Sequence, residues 1–441
     1  MLASYVGSAV EYYDFLLYVT ASSLVFAKLF FGDLSPTAGT IASLATLAVG
    51  YVSRPLGAVV FGHFGDRLGR KSMLITTLVM MGVSTTLIGL LPTSDQVGAL
   101  APTLLIVLRV VQGVSVGGEW GGASLMAFEH APVHRRGFAT SLSAAGGPTG
   151  TALAAAALGL FSLLPDDQFY SWGWRVPFLL SAALVGIGLW TRLKVSESPL
   201  FVQARLDREE HGETPKAPLW EVLRTPRPLI LSFFGLLATF TFYSLVSSFG
   251  LTYAHAHGLS LSAVLGIQVL GGLTCVVGYA VSGAASDRFG RRTVIVFGGV
   301  AGSLFTFPFL QMIGSGEALE TTAAFLVMFG LVVGPLFGPT GAFLSEQYDT
   351  GARYTGASLG YQAASTVGGG LAPLILASLL ATQDGGHGFI LLFVIGIGVL
   401  SVLALAAMKP RTETAAPAAV PRAAPRLAAG GEGGPQQPER A

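Results

Sequence analysis

One short basic loop motif occurs twice in this chain, and the repeat limits the fold more than any other feature. The first copy runs from Gly57 through Gly62, Asp66, Arg67, Gly69 and Arg70 to Lys71. The second runs from Gly278 through Gly283, Asp287, Arg288, Gly290 and Arg291 to Arg292. Both copies separate two long apolar runs, and they lie about half a chain apart. Two similar sets of membrane-crossing helices, able to rock against each other, produce this pattern.

The apolar runs are about 20 to 25 residues long, enough for a helix to cross roughly 30 Å of hydrocarbon. Only 11% of the 441 residues are charged, against about 25% in a soluble domain. Twelve runs are expected, starting near Tyr5, Gly39, Ser72, Pro102, Gly137, Trp172, Pro228, Leu261, Thr293, Thr321, Tyr354 and Phe389. This predicts an all-α integral membrane protein with two pseudo-symmetric six-helix halves. The halves are expected at 1–195 and 227–408, with a polar linker at 196–226 that holds a short amphipathic helix. The Ala-, Pro- and Gly-rich tail 409–441 lacks the apolar residues to bury a core and is expected to be disordered. The first run is too long for a cleavable leader and contains Glu11 and Asp14, so it reads as a span.

Lys and Arg crowd the loops after runs two, four, six, eight and ten, for example Arg70, Arg135, Arg205, Arg291 and Arg353. The alternate loops carry Asp33, Asp95, Asp166, His255, His257 and Glu317 instead. The positive-inside rule then places both termini in the cytosol. A formal net charge of +1 gives no reason to expect a nucleic-acid partner. The single cysteine, Cys275, lies in a span; it can form neither an intrachain disulfide nor a metal cluster.

A second internal echo supports duplication. Glu129 precedes Arg136 after run four, and Glu346 precedes Arg353 after run ten at the same spacing. In each basic loop the glycines allow a tight turn, and the aspartate can accept from a helix N-terminus or pair with an arginine. Asp66, Arg67, Gly69, Arg70, Glu129 and Arg136, with Asp287, Arg288, Gly290, Arg291, Glu346 and Arg353, are therefore candidate parts of a gate. The bland alternative is that these charges only set topology.

Charges inside spans are expensive and are functional candidates. The first half holds Glu11, Asp14, Arg54, Arg109 and Glu119, while the second half has none well inside a run. Glu11 and Asp14 are three residues apart and share a helix face. With Glu119 they are candidates for carrying a proton; the alternative is a permanent ion pair with Arg54 or Arg109. Arg109 and Gln112 share a face of run four. Arg54 and Arg109 suit a carboxylate ligand, whereas if they only neutralise the acids the ligand is neutral or zwitterionic. Tyr13, Tyr243, Tyr361 and Gln362 are further candidates for lining a ligand site.

The repeated Gly-x-x-x-Asp-Arg-x-Gly-Arg-Lys/Arg loop resembles that of the major facilitator superfamily across about residues 5 to 408. Gly7-x-x-x-Glu11-Tyr-Tyr-Asp14-Phe15, Ser53-Arg54-Pro55-Leu-Gly57, Arg109-x-x-Gln112-Gly113, Gly117-Gly118-Glu119-Trp120 and Glu197-Ser198-Pro199 resemble its metabolite:proton symporter family. Tyr12 stands where that family often has tryptophan. The resemblance implies import of a small organic acid or zwitterion with protons by alternating access. It also implies a monomer in the bacterial cytoplasmic membrane, driven by a proton gradient and needing no cofactor. Gly147-Pro148-Thr-Gly150 faintly resembles an antiporter motif, so proton antiport is the nearest rival; small-residue packing at a kink explains it equally. A membrane-embedded enzyme, receptor or channel is a more distant alternative. No zinc spacing or phosphate loop occurs.

Overall fold

Twelve long helical stretches follow one another, with no strand among the described residues. The computed structural model describes residues 2–194, 197–198, 202–203, 206, 218–382 and 386–408. Most of the linker and the whole tail 409–441 lie outside the described residues. The first six stretches are α1 (Leu2–Ala21), α2 (Pro36–Leu68), α3 (Arg70–Leu90), α4 (Leu100–His130), α5 (Arg136–Phe161) and α6 (Arg175–Leu193). The second six are α7 (Pro226–Ala256), α8 (Leu261–Phe289), α9 (Arg291–Gly314), α10 (Ala318–Ser345), α11 (Arg353–Leu380) and α12 (Gly388–Ala407). Eleven stretches are long and apolar enough to cross a membrane; the other is α1, which carries Glu11 and Asp14. A short helix, Pro218–Arg224, precedes α7.

The duplication is visible in local geometry. Ser35 caps α2 by accepting from Ala38 N at 3.3 Å, and Ser260 caps α8 by accepting from Ala263 N at 3.2 Å. Gly69 (φ 110°) joins α2 to α3, and Gly290 (φ 92°) joins α8 to α9. That positive φ is costly for any residue with a Cβ, and it lets one helix end and the next begin without a loop. The end of the bundle carrying these two glycines is called the basic end below.

In the first six, α1 packs on α5 and α6, α2 on α4, and α3 on α4 and α6. In the second, α7 packs on α11 and α12, and α8 on α10. The two sets meet chiefly where α2 packs on α11 and α5 on α8. Small residues set these approaches. A Cβ on Gly117 of α4 would strike the Arg54 carbonyl of α2, and one on Gly150 of α5 would strike the Ala9 carbonyl of α1. Pro148 stays inside an unbroken α5, and Gly150 beside it lets α5 approach α1.

Among the described residues, five π-helical segments were not anticipated: Ser22–Phe26, Phe169–Gly173, Leu245–Gly250, Met328–Val333 and Ser365–Leu371. Each re-aims the side chains beyond it, and such segments often mark functional sites.

Candidate functional site

At the basic end the two sets of helices cap each other. The carboxylate of Asp66, in the last turn of α2, accepts from Tyr354 N (3.2 Å), Thr355 N (3.0 Å) and Thr355 Oγ1 (2.9 Å) in the first turn of α11. Asp287, in the last turn of α8, accepts from Gly137 N and Phe138 N, both at 2.9 Å, in the first turn of α5. Helix N-termini have N–H groups without intrahelical partners and a favourable dipole, so a carboxylate is the natural cap. The aspartate of each set thus caps a helix of the other.

Charge pairs brace both caps. Arg70 lies 3.9 Å from Asp66 and 3.3 Å from Glu129, and it donates to the Thr350 carbonyl at 3.1 Å. Arg353 approaches Glu129 at 3.4 Å. On the other side Arg291 lies 2.5 Å from Asp287 and 3.3 Å from Glu346. Arg136 is buried with its guanidinium over the Phe128 ring. Two residues grouped with these by sequence stand apart: Arg67 and Arg288 are exposed. They follow the capping aspartates directly, and that one-residue step turns them about 100° away.

Deeper in the bundle lies a charge network whose centre the sequence reading missed. Arg192 of α6, 5% exposed, reaches Glu11 of α1 at 3.0 Å and Glu119 of α4 at 2.5 Å, and it also donates to the Leu74 carbonyl. Gly7 makes the room: a Cβ there would sit 2.5 Å from Arg192 Nη2 and 2.6 Å from Nε. Asp14 is fully buried and accepts from the Ser181 hydroxyl. Glu11 and Asp14 therefore both face α6 but bond to different groups on it.

The expected alternative, in which Arg54 or Arg109 neutralises these acids, is not what the structure contains. Among the described residues neither arginine has a carboxylate partner. The guanidinium of Arg54 lies 4.1 Å from the ring centres of both Phe15 and Tyr51. That of Arg109 lies 4.2 Å from Phe15 and 4.0 Å from Tyr18. Arg54 Nη1 donates to Ser365 Oγ of the α11 π-segment at 3.2 Å, and Arg109 Nη1 to Gln112 Oε1 at 3.1 Å. Nε of both arginines and Nη2 of Arg109 are buried with no hydrogen-bond acceptor. Aromatic faces offset part of a buried cation's cost but accept no N–H in the guanidinium plane.

The remaining expected ligand residues divide. Gln112 Nε2 donates to Thr85 Oγ1 at 2.8 Å, so Gln112 holds Arg109 in place. Tyr13 lies in the core: its hydroxyl donates to the Pro177 carbonyl at 2.8 Å and its ring packs with Leu17, Phe26 and Trp174. Its neighbour Tyr12 faces the other helices instead. With Glu119, Ser124, Thr140, Tyr361 and Trp120, Tyr12 lines a cavity between the two sets that offers about 20 Å³ to the centres of water-sized molecules. Tyr361 stacks on Trp120 at 3.6 Å, Gln362 Nε2 donates to the Val116 carbonyl at 3.2 Å, and Tyr243 packs edge-on to Phe337. Tyr361 and Gln362 thus tie α11 to α4.

The family described as Major Facilitator Superfamily matches residues 5–373. The chain is 41% identical to the inner membrane metabolite transport protein YhjE of Escherichia coli (strain K12), covering 92% of each chain. It is 39% identical to the shikimate transporter of the same strain, over 92% of this chain and 93% of that one. It is 32% identical to that strain's proline/betaine transporter, over 87% and 77%. The proton:xylose symporter XylE bound to 6-bromo-6-deoxy-D-glucose shares the fold, with a TM-score of 0.73 at 16% identity over 92% of this chain and 93% of that one.

Proposed function

The chain belongs to the major facilitator superfamily as a membrane transporter and not an enzyme, and from that premise we propose that it is a proton-coupled symporter of small organic anions. One observation carries the choice of cargo. Arg54 and Arg109 are buried with N–H groups lacking acceptors, while Glu11 and Glu119 share a different cation, Arg192. Unpaired buried charge is costly, and a carboxylate matches the guanidinium fork. A bound anion would supply what these two arginines lack. The 39% identity to a shikimate transporter supports the reading.

The proton has a place in the same scheme. Two carboxylates around Arg192 leave one negative charge in excess, and one proton removes it. Asp14, held by a hydroxyl, is a second acceptor of a proton. Residues 1–195 and 227–408 would rock about the central arginines, with the crossed caps at Asp66 and Asp287 closing the basic end. The positive-inside rule turns that end to the cytosol.

The test is purified protein in proteoliposomes under an inside-alkaline gradient, offered monocarboxylates, dicarboxylates and betaine. Carboxylate accumulation that Arg109→Gln abolishes is expected. Gradient-driven efflux would establish antiport, and betaine uptake indifferent to Arg109→Gln would remove the arginine from the site.

A further inference from the structure

We infer that the small cavity beside Glu119 is a built water site that takes the proton from Glu119 toward the basic end; this rests on the proton-coupled reading above. Glu119 uses its two carboxylate oxygens differently. Oε1 is held by Arg192 at 2.5 Å, whereas Oε2 is buried with no hydrogen-bond partner. Ser124, 5% exposed and just over one turn further along α4, has a hydroxyl in the same condition. Both residues line the one cavity, which has room for one or two water molecules.

Two further groups converge there. A Cβ on Gly341 of α10 would meet Ser124 Oγ and lie 2.9 Å from Thr140 Cβ, so α4, α5 and α10 meet at one point where α10 presents no side chain. Thr140 Oγ1 spends its proton on the Arg136 and Gly137 carbonyls at 3.0 and 3.1 Å, which leaves it able to accept. Glu119, Ser124 and Thr140 supply the two to four polar partners that a buried water needs. Thr140 is one turn from Arg136, in the layer of the crossed caps. In the transfer the neutral Glu119 carboxyl gives its proton to the cavity water, the hydronium so formed gives a proton to bulk water once the basic end opens and is water again, and the carboxylate left behind stays paired with Arg192. No electron moves.

Two measurements test this. Radiolytic labelling in ¹⁸O-water modifies side chains beside bound water even when they are buried. Tyr361 and Phe337 line the cavity, while Tyr354 and Phe128 are buried away from it. Tyr361 and Phe337 should label well above Tyr354 and Phe128 in the wild type, and fall to that level in Ser124→Val and in Gly341→Ala. Equal labelling of all four in the wild type would overturn the water site while leaving symport standing. The second measurement uses a carboxylate that the wild type accumulates. Ser124→Val should slow gradient-driven uptake at least about tenfold, as loss of a proton-transfer group does, and slow exchange at symmetric pH much less. Equal slowing of both, or of neither, would overturn the relay. A wild type that accumulates nothing under the gradient would instead overturn symport itself.

Discussion

Replacing the two capping aspartates with asparagine should open the basic end by a calculable factor. Asp66 accepts three hydrogen bonds from α11 and Asp287 two from α5. Asparagine keeps one acceptor oxygen, loses the charge and turns an NH₂ toward N–H groups. Bonds to a charged acceptor contribute about 1.5–3 kcal/mol each and neutral ones about 1 kcal/mol. A loss of at least about 2 kcal/mol per cap follows, or at least roughly 30-fold in the equilibrium between closed and open. Folding should survive, because Arg70 keeps Glu129 at 3.3 Å and Arg291 keeps Glu346 at 3.3 Å. Ser143, 3% exposed and lining the cavity, is a suitable reporter as Ser143→Cys, once the sole native thiol is removed by Cys275→Ser. Alkylation by an impermeant maleimide added at the basic end should quicken at least roughly 30-fold in Asp66→Asn, somewhat less in Asp287→Asn, and reach a ceiling in the double variant. A double variant that labels within about twofold of its parent would show that the caps do not hold this end closed.

Three further outcomes follow from named contacts. Arg192→Gln leaves Glu11 and Glu119 without their shared cation, a loss of about 3–5 kcal/mol unless both take up protons; gradient-driven accumulation and Tm should both fall, with Tm partly restored by adding Glu119→Gln, and an unchanged Tm would refute the network. Gly50→Ala puts a methyl 2.5 Å from Arg109 Nε, so KM for a carboxylate should rise about tenfold with little change in Tm; an unchanged KM would count against Arg109 as a ligand. Burial, and then the neighbouring His257, push the His387 imidazole below the usual histidine range. Its neutral form bonds with the Tyr253 hydroxyl at 2.9 Å, so its stabilisation is present above about pH 6.5 and lost as pH falls toward the lowered value. Tm should decline below that pH in the wild type and decline less in His387→Gln.

The repeated loops made the fold legible, because two copies of one spacing mark two copies of one structure. All twelve spans begin within about three residues of the positions expected from their apolar runs. The capping role open to Asp66 and Asp287 could also be read, since a carboxylate beside a tight turn has few good partners. Arg192 could not. It lies in the last turn of α6 next to Lys194, where a basic residue reads as a flank, yet its side chain turns inward. Tyr12 and Tyr13 show the other limit. Both are aromatic in a helix that is apolar on several sides, and only the position of α6 decides that Tyr13 meets Pro177. Arg54 and Arg109 were legible as buried cations but not as unpaired ones, because pairing depends on which helices face each other.

The two crossed caps are no longer equal, and that difference gives opening an order. Asp66 has a side chain that is 0% exposed and three bonds across its seam, whereas Asp287 is 10% exposed and has two across its own, its third coming from Arg291 of its own set. Water reaches the second clasp first and finds fewer bonds across the seam to replace. Separation would therefore start along the α5–α8 seam, with the α2–α11 seam serving as the fulcrum until Asp66 gives way.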